Sequence, residues 1–130
     1  MPQEPGDTAM ATILIIDDSP TELHLFQEML EKNGFATLVA DSGEDGIRQA
    51  QSAQPDCILM DVVMPGMNGF QATRKLTQDA KTSAIPVIMI TTKDQETDKI
   101  WGMRQGAVDY LVKPVTGKQL AAKIAAVMAR

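Results

Sequence analysis

Three apolar runs constrain the fold of this chain more than any other feature: Thr12–Ile16 (TILII), Cys57–Met60 (CILM) and Pro86–Ile90 (PVIMI). They are continuous, whereas a strand with one face in water alternates apolar and polar residues. Continuous runs of this length predict strands covered on both faces, the usual situation in a parallel sheet. Ala36–Ala40 (ATLVA) and Val108–Val112 (VDYLV) are weaker strand candidates of the same kind.

Helical patterns fill the gaps. Ser19-Pro20-Thr21-Glu22 reads as an N-cap, a first-turn proline and a capping-box glutamate. Leu23, Phe26 and Leu30 follow at helical spacing, and Asn33-Gly34 ends the helix. Ser42 and Asp45 open a second helix to about Ala53, and Asn68 caps a third from Gly69 to about Thr77. Asp94 begins a fourth that ends near Gly106. Thr116 caps a fifth, with Leu120, Ile124, Val127 and Met128 as its buried stripe. Five β-α units in succession predict an α/β fold, a doubly wound parallel sheet with helices on both faces.

At 130 residues the chain is long enough for one core and not two. The sequence shows no internal repeat or linker, and leaves no room for an output domain. Residues 11–130 read as the domain and Met1–Met10 as a disordered tail, because MPQEPGDTAM is rich in Pro, Gly and acidic residues; it has neither the basic start nor the apolar core of a signal peptide. The net charge of −5 argues against nucleic acid as a partner. No apolar run approaches the roughly 20 residues a membrane helix needs, so membrane insertion is not expected. The lone Cys57 fits a reducing compartment, the cytoplasm, and reads as a small apolar filler. His24, between core positions of the first helix, reads as a surface residue.

In an open parallel sheet, ligands bind beyond the carboxyl ends of the strands, where strand order reverses. The residues just past each apolar run therefore belong together. Asp17 and Asp18 follow the first strand, Asp61 the third, Thr91 and Thr92 the fourth, and Lys113-Pro114 the fifth. Three carboxylates raise one another's pKa, a penalty that a divalent cation removes. Mg²⁺ takes oxygen ligands, keeps waters, and typically accepts one or two carboxylates plus a phosphate oxygen. A lysine beside it suits the same phosphate.

The segments IDDSP, LMDVVMPGMNG, ITT and DYLVKP resemble, in order and spacing, the receiver domains of response regulators, the CheY-like family. The resemblance covers about Ala11 to Arg130 and implies a flavodoxin-like (βα)5 sheet of order 2-1-3-4-5. It implies that Asp61 is the phosphoacceptor, supplied by a sensor histidine kinase or its phosphotransfer domain. Asp18, Asp61 and the Val63 backbone carbonyl would hold Mg²⁺ directly, and Asp17 largely through water. Lys113 would bind the phosphoryl oxygens, with a cis bond to Pro114, and Thr91 and Tyr110 would form the switch. GFQATRKL and IPVIMITTKDQETDKIWGMRQGA further resemble the PilH-type regulators of type IV pilus twitching motility. That likeness implies a stand-alone regulator acting through a downstream motility protein or as a phosphate sink. Lys99 and Trp101, on the fourth helix, are the expected partner face. Thr92 departs from the family's usual smaller residue, and Val63 and Lys93 stand where the family varies.

Other readings fit less well. A chemotaxis-type receiver for another motility or output system remains the nearest alternative. An aspartyl-phosphate phosphatase of the haloacid-dehalogenase kind wants a second acid two residues after its nucleophile, where Val63 stands. A flavin-binding module would place phosphate against the acidic DDSP. A receiver that only binds partners would not need Asp61, Thr91 and Lys113 together. The chain therefore reads as a phosphoacceptor and not as an enzyme acting on other substrates.

Overall fold

The computed structural model describes residues 11–129. Five strands form one parallel sheet: β1 (Thr12–Ile16), β2 (Ala36–Ala40), β3 (Cys57–Met60), β4 (Val87–Thr91) and β5 (Asp109–Val112). Their order is β2-β1-β3-β4-β5. The connecting helices are α1 (Pro20–Lys32), α2 (Gly43–Ala53), α3 (Gly69–Gln78), α4 (Glu96–Arg104) and α5 (Gly117–Met128). The expected tail, Met1–Met10, and Arg130 lie outside the described residues.

The continuous runs are explained by burial on both faces. Ile13 and Ile15 of β1 pack with Leu23, Phe26 and Leu30 of α1 and with Leu120, Ile124 and Val127 of α5. Leu14 and Ile16, their alternates, pack on the opposite face with Ala50 of α2 and with Ala72 and Leu76 of α3. A third cluster joins Val62, Met89 and Ala107 to Phe70 and Tyr110. Cys57 is fully buried, and burial pushes its thiol up to about 12. It is packing material, as expected of a buried free cysteine.

Several boundaries differ from the sequence expectation. β4 starts at Val87 and includes Thr91; Pro86 has no N–H for the ladder, although its carbonyl accepts from Ile58 N–H at 2.9 Å. Val108 precedes β5 but still donates to the Val87 carbonyl at 2.8 Å. α4 starts at Glu96, not Asp94, because Asp98 reaches back to the Gln95 N–H at 3.3 Å and makes Gln95 the cap. Met128 is half-buried at the rim of the α5 stripe.

At the start of α1 the expected capping box is only half formed. Ser19 Oγ accepts from the Glu22 N–H at 3.3 Å. The Ser19 N–H, however, goes to Asp17 Oδ1 at 3.0 Å, and the Glu22 carboxylate points elsewhere. The complete boxes are at Asn68–Gln71 and Thr116–Gln119.

Candidate phosphoacceptor and metal site

β1 lies between β2 and β3, so strand order reverses at the β1–β3 junction, the place beyond the strand ends where ligands bind in such sheets. Backbone bonds continue the sheet one residue past its strands there. Asp17 N–H donates to the Ala40 carbonyl at 3.1 Å, and Asp61 N–H donates to the Ile16 carbonyl at 3.0 Å. Both acids are thus held by the sheet itself. Gly69 begins α3 directly behind Asp61, and a Cβ there would collide with the Asp61 carbonyl oxygen. Only glycine lets α3 approach so closely.

Asp17, Asp18 and Asp61 converge: one carboxylate oxygen from each lies within 4.8 Å of the others. Asp17 is buried, Asp61 half-buried and Asp18 exposed. The donor set suits a hard divalent cation, which prefers carboxylate oxygens and keeps its remaining positions for water or phosphate. Asp61 Oδ1 accepts from the Val62 N–H at 2.9 Å. Burial, then the neighbouring Asp17 charge, raises the Asp61 carboxyl to about 6, against the pull of Lys113. Val63 follows in the β3–α3 loop with its side chain exposed.

Lys113 closes the site from β5, through a cis bond to Pro114 as expected. Its Nζ lies 3.2 Å from Asp17 Oδ2 and 3.9 Å from Asp61 Oδ1. Its shortest contact is one that sequence reasoning missed, Glu22 Oε1 at 2.8 Å. Burial works against the ammonium, yet the bond to Glu22 and the charges of Asp61 and Asp17 outweigh it and hold Lys113 above the ordinary lysine range. The available signal was the Asp-x-Ser of Asp17–Ser19. An Asx turn there takes the N–H that the capping box needs, leaving Glu22 free.

Thr91 is fully buried at the end of β4, and its Oγ1 accepts from the Lys93 N–H at 3.3 Å. Tyr110, on neighbouring β5, donates its hydroxyl to the Lys93 carbonyl at 2.8 Å. The tyrosine ring packs so closely against Gly102 of α4 that a Cβ there would meet it at 3.0 Å. Burial and the charges of Asp98, Asp61 and Asp94 push the phenol up to about 12. Trp101 is exposed on α4 beside Ile100 and Met103, while Lys99 is half-buried. The outer surface of α4 thus exposes three large apolar side chains, Ile100, Trp101 and Met103. Thr92 is exposed, and His24 is exposed 3.7 Å from Glu28.

An acid triad at the switch point of a five-stranded parallel sheet, with a lysine across from it, defines a class. The response regulator receiver domain family matches residues 13–125, and the chain belongs to it. The chain is 62% identical to Protein PilH of Pseudomonas aeruginosa, over 92% of this chain and 99% of that protein. It is 34% identical to the alkaline phosphatase synthesis transcriptional regulatory protein PhoP of Bacillus subtilis, spanning only 48% of that protein's length. Among solved structures, chemotaxis protein CheY4 of Vibrio cholerae superposes with a TM-score of 0.86 at 31% identity, over 92% of this chain and 99% of that one. A response regulator from Chloroflexus aurantiacus gives 0.88 at 31%, over 93% and 99%. Membership implies a histidine-kinase phosphodonor, and receiver domains generally bind Mg²⁺ at such an acid cluster. Among the described residues, no helix is long and apolar enough to cross a membrane.

Proposed function

We propose that the protein is a phosphoacceptor of a two-component relay, with Asp61 as the acceptor and Mg²⁺ bound by Asp18, Asp61 and the Val63 carbonyl. Asp17 completes the cation site, largely through water. The observation that supports this most is the convergence of three carboxylates and one lysine from β1, β3 and β5. An Asp61 oxygen attacks the phosphorus of a phosphohistidine; the P–O bond forms as the P–N bond breaks, and the imidazole leaves with the electron pair. Phosphoryl transfer of this kind depends mainly on alignment and charge neutralisation. Bound Mg²⁺ supplies charge for the phosphoryl oxygens and for the acids themselves. Asp61 aligns the attack, Lys113 receives a phosphoryl oxygen, and Thr91 turns its hydroxyl to another. Hydrolysis of the acyl phosphate at the same site ends the signal, and no other substrate is required.

Output is protein binding in the cytoplasm, through the α4 surface that carries Lys99 and Trp101. The 62% identity to Protein PilH, with the resemblance to type IV pilus regulators, supports a role in twitching motility through a downstream motility protein or as a phosphate sink. A phosphotransfer time course against the histidine kinases of the same organism tests this reading. Mg²⁺-dependent label should appear on the wild type and not on Asp61→Asn. Equal labelling of the variant overturns the assignment.

A further inference from the structure

We infer that Glu22 is a positioning residue that holds the Lys113 ammonium away from Asp61, and that a phosphoryl group on Asp61 must win the lysine from it. The inference rests on Asp61 being the phosphoacceptor.

The distances carry it. Lys113 Nζ is 2.8 Å from Glu22, 3.2 Å from Asp17 and 3.9 Å from Asp61. The first two are hydrogen-bond contacts; the third lies beyond that range. The lysine meant to serve Asp61 is thus committed to two other carboxylates. Asp17 belongs to the converging acid cluster and Glu22 does not, so Glu22 has no metal to hold and bears on Lys113 alone. Its freedom follows from the half-formed cap: Asp17 Oδ1 occupies the Ser19 N–H that a capping-box glutamate would otherwise take. Phe26, one turn further along α1, adds to the same bias, with Lys113 Nζ 5.6 Å from its ring centroid. Helix α1 therefore offers the ammonium both a carboxylate and a π face. The pair is partly shielded, with side chains 13% and 31% exposed, so it competes more strongly than an open surface pair would.

A phosphoryl group carries more negative charge than a single carboxylate and offers three acceptor oxygens, so it displaces Glu22, but the displacement lowers its apparent affinity. Removing the competitor should tighten binding. Beryllofluoride with Mg²⁺ is the probe, its bound resonance followed by fluorine NMR as the anion is titrated. Glu22→Gln should bind about fivefold more tightly than wild type. Glu22→Asp keeps the charge but is one methylene too short for the contact, and it should tighten binding by a similar factor. If Glu22→Asp binds like wild type while Glu22→Gln does not, the general negative field is responsible and the inference is overturned. Unchanged affinity in both variants also overturns it, including the case where both merely melt earlier. A wild type that shows no Asp61-dependent adduct overturns the phosphoacceptor reading itself, a result distinct from the other two.

Discussion

The hydroxyls of Thr91 and Tyr110 hold opposite ends of the same residue. Thr91 Oγ1 accepts from the Lys93 N–H at 3.3 Å, and the Tyr110 hydroxyl donates to the Lys93 carbonyl at 2.8 Å. Lys93 also reaches Asp98 at 3.5 Å, so the β4–α4 loop is tied to both strands and to the helix that follows. A Thr91 hydroxyl drawn to a phosphoryl group gives up the Lys93 N–H, and the loop and the Tyr110 contact must adjust. On this basis Trp101 fluorescence should change when beryllofluoride is added with Mg²⁺. Thr91→Ala should blunt the change while the adduct still forms on Asp61. Tyr110→Phe should cost about 0.5–1.5 kcal/mol of stability, the ordinary worth of one hydrogen bond. A full fluorescence response in Thr91→Ala would remove this residue from the switch.

Asp61→Asn should stabilise the metal-free protein, and only above mildly acidic pH. The folded-state carboxyl is raised to about 6 from an ordinary 3.8, so between those values the folded chain holds a proton that the unfolded chain has lost. Wild-type stability from this group is complete below the unfolded value and is lost as pH rises through about 6. The variant should therefore gain roughly 1–3 kcal/mol at pH 8 and little at pH 4. Saturating Mg²⁺ should shrink the gain by stabilising the wild type. Denaturant melts at both pH values, with and without Mg²⁺, decide the matter; a gain independent of pH would contradict the charge argument.

The two aspartates after β1 should behave differently. Asp18 is exposed and faces the shared cluster, whereas Asp17 is buried and already engaged with Ser19 N–H and Lys113. Asp18→Ala should weaken Mg²⁺ binding more than Asp17→Ala, and Asp17→Ala should cost more stability. Calorimetric Mg²⁺ titration beside thermal melts checks both halves. Wild-type Mg²⁺ affinity in both variants would sink the proposed site.

Gly69→Ala should damage the fold and the site together. The added methyl meets the Asp61 carbonyl and the Val62 backbone, and backbone cannot swing aside as a flexible side chain can. A loss of about 1–3 kcal/mol is expected, with slower labelling of Asp61 because its strand end must shift. A variant that melts like wild type would show that α3 can dock further out at no cost.

The strands were legible because burial on both faces writes itself into sequence as unbroken apolar runs; β1, β2 and β3 have the expected bounds. The acids and Lys113 were legible because sheet topology sends strand ends to one place. Glu22 was not, because its choice between Ser19 and Lys113 depends on a competitor, Asp17, and on a partner 91 positions further along the chain. The start of α4 falls later than the sequence expectation for a related reason: Asp94, Gln95 and Asp98 all offer capping chemistry, and the bond from the Gln95 N–H to Asp98 selects among them. The binding of Tyr110 to the Lys93 carbonyl likewise depends on how closely Gly102 lets α4 approach, which no local pattern records.

Lys113 and Asp17 are 96 residues apart in sequence and meet at 3.2 Å. Until β5 is in place, a chain that had paired β1 with β2 and β3 would hold all three acids without Lys113. Such a chain has a concentration of negative charge with no ammonium across from it. It would repel an incoming phosphoryl donor unless a metal intervened. The charge of the acid cluster is therefore balanced only when the last strand docks and carries Lys113 across from it.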